Sequence, residues 1–408
     1  MSKIRLGCIG MGQRGILMLE TILKLCDNTQ VKAVCDLYDD RAQEAFDMVK
    51  KEKGYEPFKT TCPHELIRRE DVDAVLIFAA WENHVELAVE AMENGKYVGI
   101  EVGGAYSIND CYKLVETYER TKVPCMMLEN CCYGQKELTA LNMARMGIFG
   151  EVVHCSGGYH HYLCDEIAGG IENRHYRLRN YLNRNCDNYP THELGPIAKV
   201  LNINRGNRMV TLSSFSSKSR GMSAYIKENE DKYPHLVGRT FQQGDIVTTV
   251  ITCADGSTIA LTLDTTLPCA YSRGFTVRGT KGAYFEDGDM VFVDGPEVDH
   301  SNPKQYWGTG EKYREVYKHP IWKKYGDIAT ESGHGGMDYM VLSAFFEAIE
   351  KNAPMPIDVY DAASWMSVTA LSEESISKGG VPVSVPDFTG GKWLLYEKQN
   401  TNSDFALD

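Results

Sequence analysis

Residues 185–206 read NCDNYPTHELGPIAKVLNINRG, and in them Tyr189, Pro190, Thr191 and His192 stand consecutively at the head of an apolar run of helical period. A histidine with an unperturbed pKa near 6.5 and a tyrosine near 10 are groups that move protons at neutral pH. Tyr189 and His192 are three apart, so a helix starting that early puts both on one face, aimed at one point. The same residues also suit an ordinary helix start, in which Pro190 presets the turn and a buried His192 only satisfies a hydrogen bond. A second pattern, Gly10-x-Gly12-x-x-Gly15, lies between a β-branched run and a helical one. Such glycines allow a tight turn and close backbone approach, so that helix N-terminal amides face a pyrophosphate. Asp36 ends the next strand-like run, placed to accept hydrogen bonds from a ribose diol and to repel a 2′-phosphate, which favours NAD over NADP. The stretch FAAWENH (78–84) follows a later strand at the edge where doubly wound sheets bind ligands, and offers Trp81, Asn83 and His84 to a nicotinamide. His84 equally fits a polar residue at a helix start.

The elements that must position these groups divide the 408-residue chain in two. Strand-like runs at 4–9, 31–35, 74–78, 97–101 and 123–128 alternate with helical stretches, including 83–94 and one opened by Ser107 and Asp110, the pattern of βαβ units. This predicts an α/β fold: an N-terminal Rossmann doubly wound parallel sheet over 1–130, then an α+β domain with a large open mixed or antiparallel sheet over 131–408. In the second domain a helix at 135–146 and a strand from Glu151 lead to the 185–206 segment. Then CADGST, RGTKGA and EDGDM place tight turns between strands and predict hairpins. Residues 296–335, rich in Gly, Pro and aromatics, are too long for a simple connection and predict a lid or an arm toward another subunit. The broad second sheet suggests a homo-oligomer.

Net charge is −13, which excludes the positive field a nucleic acid or anionic membrane requires. No apolar stretch reaches the roughly 18 to 20 residues that span a bilayer, and the N-terminus runs directly into a strand. Both point to the cytoplasm. Thirteen cysteines without a Cys-x-x-Cys pair argue against zinc and against a disulfide framework. His160 and His161, adjacent in a strand, point to opposite faces and make a poor metal pair. His154, His175 and His334 have no ligand-spaced companions. Arg174, Arg177, Arg179 and Arg184 suit a carbohydrate-facing or interface segment as well as a phosphate. YIKENEDKYPH (225–235) reads as a solvated loop from which Tyr225 or Tyr233 reaches a pocket mouth.

The Rossmann start, the Glu101-Val102 edge, MMLENCCYG and the mixed second sheet resemble the Gfo/Idh/MocA group of NAD(P)-dependent sugar-transforming proteins. Within it, MMLENCCYGQKELTALNMARMGIFGEV, YPTHELGPIAKVLNINRG and GHGGMDYMVL resemble glycoside hydrolase family 109, the NAD-dependent α-N-acetylgalactosaminidases. The resemblance implies NAD contacts at Gly10, Gly12, Gln13, Arg14, Gly15, Asp36, Trp81, Glu82, Asn83, His84, Glu101, Val102, Asn130 and Tyr189. It implies sugar contacts at Tyr159, Arg177, Tyr189, Pro190, Thr191, His192 and Tyr271. Simple dehydrogenases of the group carry Glu-Lys-Pro where this chain has Glu101-Val102-Gly103, and aspartate four before the helix histidine, where it has Asn188. Two departures from the family stand out: YHHYLCDE (159–166) where Tyr-x-His-Asp-Leu-Arg is expected, and Glu193 in place of glycine.

The implied reaction is a redox-neutral glycoside hydrolysis, an exception to the two-carboxylate scheme. NAD⁺ oxidises C3 of the sugar, the acidified C2 proton is removed, the aglycone leaves C1, water adds, and the hydride returns. In it His192 takes the C3 hydroxyl proton, and Tyr189 or Tyr159 the C2 proton. Tyr271 and Arg177 hold the ring. The alternatives are a glycoside 3-dehydrogenase, which would release 3-keto sugar, and a non-catalytic sugar or NAD sensor, which would bind without cleaving.

Overall fold

In the computed structural model, residues 3–296, 298–395 and 402–407 are described. Six strands, β1 (Ile4–Ile9), β2 (Thr29–Cys35), β3 (Phe58–Thr60), β4 (Ala74–Ile77), β5 (Tyr97–Ile100) and β6 (Cys125–Met127), form one sheet in the order β3-β2-β1-β4-β5-β6. Every pairing in it is parallel. That order is the doubly wound one, with its switch point between β1 and β4. The central strands are buried on both faces, which is why they read as unbroken apolar runs rather than alternating ones. β3, short and half-buried, carries too few apolar residues to stand out in the sequence. The helix Ile108–Thr121 starts as its sequence predicts, with the Asp110 amide donating to Ser107 Oγ at 3.1 Å.

The second sheet has eight strands: β7 (Val152–His160), β8 (Met209–Ser216), β9 (Ile246–Cys253), β10 (Thr258–Asp264), β11 (Thr276–Gly279), β12 (Gly282–Phe285), β13 (Met290–Val293) and β14 (Val383–Ser384). Their order is β13-β12-β11-β7-β10-β9-β8-β14. All neighbours are antiparallel except β7 and β10. The hairpins β9–β10, β11–β12 and β12–β13 turn at the three places the sequence marks. β9 and β10 alternate buried and less buried residues along their length, as a sheet covered on one face must.

The chain folds as two compact units that are not a simple front and back. One comprises the described residues of Met1–Gly134, His319–Ala363 and Glu397–Asp408; the other comprises Gln135–Lys318 and the described residues of Ser364–Tyr396. The helix Met337–Lys351 thus belongs with the parallel sheet, although a single boundary near 130 assigns it to the second domain. The segment 296–335 is not without regular structure in its described residues. They contain the helices Gly310–Val316 and Pro320–Ala329, and Trp322 of the latter donates its indole N–H to the Tyr133 carbonyl at 2.8 Å. Among the described residues no helix is long and apolar enough to cross a membrane.

Candidate active site

In the first unit the Gly10–Gly15 turn leaves β1 and opens the helix Gln13–Leu25. Gly10 sits at φ +90°, and a Cβ there would come within 2.5 Å of the Ala79 backbone nitrogen, so only glycine fits. A Cβ on Gly12 would meet nothing nearer than the Arg41 guanidinium at 3.4 Å, so the loop's outer side is open. Gly12 caps the helix with extended backbone and no side-chain hydrogen bond, leaving that end to a ligand's oxygens. Asp36, buried just past β2, accepts the Tyr38 amide at 2.9 Å through Oδ1. Trp81, Glu82 and Asn83 form one 3₁₀ turn after β4, with the Trp81 ring buried.

His84 is 1% exposed and donates Nε2–H to the Ala79 carbonyl at 2.9 Å. Burial presses its pKa down to about 4, so the ring is neutral and Nδ1 is a bare acceptor. That buried Nδ1 has no hydrogen-bond partner among the described residues. A carboxamide or ribose hydroxyl of a dinucleotide would supply the missing donor. With the glycine cradle and Asp36, this orphaned acceptor makes the residues present fit the cofactor.

A network missed by sequence reading ties the cradle together. Arg14 donates through Nε to Glu101 Oε2 and through Nη1 to Asp338 Oδ2, both at 2.8 Å. Asn130 Nδ2 donates to Asp338 Oδ1, and His334 Nδ1 to Asp338 Oδ2, again at 2.8 Å. Glu101 Oε1 accepts the Val102 amide at 3.1 Å. Asp338 is fully buried. Burial by itself would raise its pKa, but the hydrogen bonds and charges of His334 and Arg14 outweigh that and hold it well below the usual carboxylate range. Arg14, Glu101 and Asn130, named separately from sequence, are therefore members of one ionic network around a residue that was not named. His334, set aside for want of companions, belongs to it too. Spacing gives no signal for a carboxylate 324 residues from its arginine.

In the second unit, Tyr159 is the hub. Its ring centroid lies 4.5 Å from that of Tyr189, 5.7 Å from that of His192, 6.4 Å from that of Tyr271 and 5.5 Å from that of His161. The Tyr189 hydroxyl is 3.3 Å from His192 Nε2, and their rings meet edge to face at 4.9 Å. The Arg177 guanidinium lies 5.0 Å from the Tyr189 ring centroid, with its Nε 2.7 Å from Glu166 Oε1. Tyr159, Tyr189 and Arg177 are buried, whereas Tyr271 is 53% exposed at the rim. Burial pushes the Tyr159 phenol up from its ordinary range, with Arg177 opposing. Pro190 caps the helix Thr191–Val200, and Thr191, its first residue, is fully buried.

Two features bring that helix to β7. Gly157 faces it: a Cβ there would come within 2.7 Å of Glu193 Cβ, so glycine at this position permits the close approach. The residues before the helix are held by buried groups. The Asp187 amide donates to Ser372 Oγ at 2.8 Å, and Gln243 Oε1 accepts from the Cys186 amide at 3.3 Å and from Asn188 Nδ2 at 3.2 Å. Asp187 is itself buried, which pushes its carboxyl up to about 7 while Thr249 and the Tyr189 backbone oppose the rise. Tyr159, Arg177, Tyr189, His192 and Tyr271 are thus gathered in one place, with Pro190 and Thr191 forming the turn beneath. The remaining named residues, Gly10 to Asn130, lie in the first unit. Tyr189, named for the cofactor as well, belongs to the second. His161 and Glu166 were missed. His161 had a legible signal, since it is two residues from Tyr159 at the end of a strand and so shares its face.

A parallel sheet in doubly wound order with a glycine turn at its switch point defines a doubly wound fold of the dinucleotide-binding type. Residues 4–129 match the family described as oxidoreductase, NAD-binding Rossmann fold, and residues 133–395 match that described as glycosyl hydrolase 109, C-terminal domain. The chain is 37% identical over 415 residues to a glycosyl hydrolase family 109 protein of Stenotrophomonas maltophilia, covering 96% of this chain and 90% of the relative. It is 36% identical over 414 residues to an α-N-acetylgalactosaminidase of Tannerella forsythia, covering 96% and 87%. The protein belongs to glycoside hydrolase family 109. Its fold is shared with scyllo-inositol dehydrogenase of Lactobacillus casei with bound NAD(H) and scyllo-inositol (14% identity, TM-score 0.63, covering 94% and 99%). It is shared too with an NAD binding oxidoreductase of Klebsiella pneumoniae (16% identity, TM-score 0.67, covering 94% and 99%).

Proposed function

We propose that the protein is a retaining glycosidase that keeps NAD bound through turnover and cleaves α-N-acetylgalactosaminides by transient oxidation at C3. The observation that carries this reading is the convergence of Tyr159, Tyr189 and His192 in the unit that matches the family 109 domain. When bound, the dinucleotide supplies the acceptor for the C3 hydride and gives the hydride back at the end, so no net oxidation results.

The chain's own residues do the rest. Gly10, Gly12, Gln13, Arg14 and Gly15 would hold the pyrophosphate with backbone amides, and Asp36 would accept from the ribose diol. Trp81, Glu82, Asn83, His84, Glu101, Val102 and Asn130 would bind the nicotinamide end, and the family resemblance names Tyr189 as a further cofactor contact. His192 accepts the C3 hydroxyl proton. Oxidation at C3 acidifies C2, and Tyr159 or Tyr189 removes that proton; the C1–oxygen bond then breaks with its electron pair going to the aglycone. Water adds back across C1 and C2. Arg177 and Tyr271, with Pro190 and Thr191 forming the turn wall, keep the ring oriented. Where the dehydrogenases' Glu-Lys-Pro carries a hydroxyl-directed lysine this chain has Val102, which has no group to move a proton. The missing lysine supports hydrolysis over simple dehydrogenation. The buried thiols suit a reducing cytoplasm.

The test is incubation of the purified protein, without added cofactor, with p-nitrophenyl α- and β-glycosides in heavy water. The α-N-acetylgalactosaminide should be cleaved with deuterium entering C2 of the released sugar. Cleavage with hydrogen kept at C2 would overturn the reading.

A further inference from the structure

Tyr159 is asked to work as a base, yet its burial opposes the phenolate. The structure shows where its proton can go. The Tyr159 hydroxyl is 2.9 Å from His161 Nδ1, and the rings meet at 80°. His161 is half-buried and stands 5.0 Å, edge to face, from the exposed ring of Tyr271. A phenol O–H donated to Nδ1 fixes the tautomer and leaves the ring's own proton on Nε2. The His161 amide donates to the Asp264 carbonyl at 2.9 Å, which anchors the ring just beyond the end of β7.

We propose that His161 is the positioning and proton-accepting partner of Tyr159, so that the tyrosine takes the C2 proton while its own hydroxyl proton passes to Nδ1 and Nε2 releases one to solvent. The proposal rests on the family 109 reading above. One proton leaves carbon, one leaves the imidazole, and no phenolate accumulates. Among the groups facing His161, Arg177 and His192 disfavour its charged form and Glu166 favours it. Burial, the largest influence, also disfavours it, so the pKa lies below the ordinary histidine value and the ring is ready to accept at neutral pH. Tyr189 differs, because its hydroxyl faces His192, the residue assigned to the C3 hydroxyl.

The experiment compares His161→Gln and His161→Ala holoenzymes with wild type on p-nitrophenyl α-N-acetylgalactosaminide, protiated and C2-deuterated, across pH. Melting temperature and bound NAD verify the fold. The expected result is a kcat loss of roughly a hundredfold with KM within about threefold, as for loss of a proton-transfer partner. The C2 isotope effect should rise, the acid limb of kcat should move, and imidazole should partly restore His161→Ala. Tyr159→Phe combined with His161→Ala should lose no more than Tyr159→Phe alone. Unchanged kcat and isotope effect, a rise confined to KM, or losses that multiply in the double variant would overturn it. If the alanine variant does not fold, the glutamine variant decides. Failure of the underlying reading is separately visible, as a wild type that cleaves without exchanging the C2 hydrogen.

Discussion

The Gly10–Gly15 turn and the ring cluster around Tyr159 both gather polar groups in buried ground, but they do so with different materials. Around the turn the groups are backbone amides and full charges: Arg14, Glu101 and Asp338 in a network closed by Asn130 and His334. Around Tyr159 they are aromatic rings with the Arg177 guanidinium beside them. A cofactor that carries phosphates calls for fixed amides and charges, and breaking a buried ion pair there leaves a desolvated charge behind. A sugar presents hydroxyls and apolar C–H faces, and the proposed chemistry moves protons between carbon and oxygen, which suits phenols and imidazoles near neutrality. The first half should therefore fail through stability and cofactor loss, and the second through rate.

His192→Ala tests that division most severely. It should lower kcat by about a thousandfold with NAD still bound, read by turnover and by cofactor released on denaturation. Turnover at the wild-type rate would remove His192 from the chemistry. Asp338→Ala should do the reverse, lowering stability by about 3 kcal/mol in a thermal melt and shedding the dinucleotide, because Arg14 loses one of its two carboxylate partners.

The pH dependence of stability separates the halves next. His84, with its pKa depressed to about 4 in the fold, binds fewer protons folded than unfolded between roughly pH 6.5 and 4. Its share of stability, about 3 kcal/mol in full, is lost as pH falls through that window. Asp187 has the opposite sign. Its carboxyl is raised to about 7, so its contribution is fully present below the unfolded pKa near 3.8 and is lost as pH rises toward 7. His84→Gln should flatten the acid side of the stability profile and Asp187→Asn the neutral side; a profile unchanged by both would refute these protonation states. Gly157→Ala should cost about tenfold in kcat with NAD occupancy unchanged, since the added methyl meets Glu193 Cβ and shifts the helix that carries His192. Asp36→Asn should have the smallest effect, a severalfold relaxation of the preference for NAD over NADP measured by binding.

How much of this was legible follows from what each group depends on. Gly10, Gly12, Gly15 and Asp36 could be proposed from sequence because a strand, a turn and a helix adjacent in the chain are all that a dinucleotide loop needs. β1 falls at Ile4–Ile9, as its apolar run indicates, and the hairpin turns fall where Gly marks them. Tyr189 and His192 were legible as a pair by their spacing, although the spacing alone left them equally at home in an ordinary helix. His161 was misjudged because adjacent histidines were weighed as metal ligands, whereas the informative interval was the step of two to Tyr159. Asp338 and His334 lie in GHGGMDYMVL, a stretch that resembles the family, but nothing local there points to Arg14 as their partner.

Sequence by itself determined what depends on near neighbours along the chain: the succession of most strands and helices, the glycine turn after β1 and the hairpins. Only the tertiary structure decided which distant residues share a charge or a proton. It brought the helix Met337–Lys351 to the parallel sheet, so that Asp338 could hold Arg14, and let Gly157 admit the helix of His192 to the ring of Tyr159. The physical reason is that helical and strand periods reach only a few residues, whereas ion pairing and ring packing depend on distance through space.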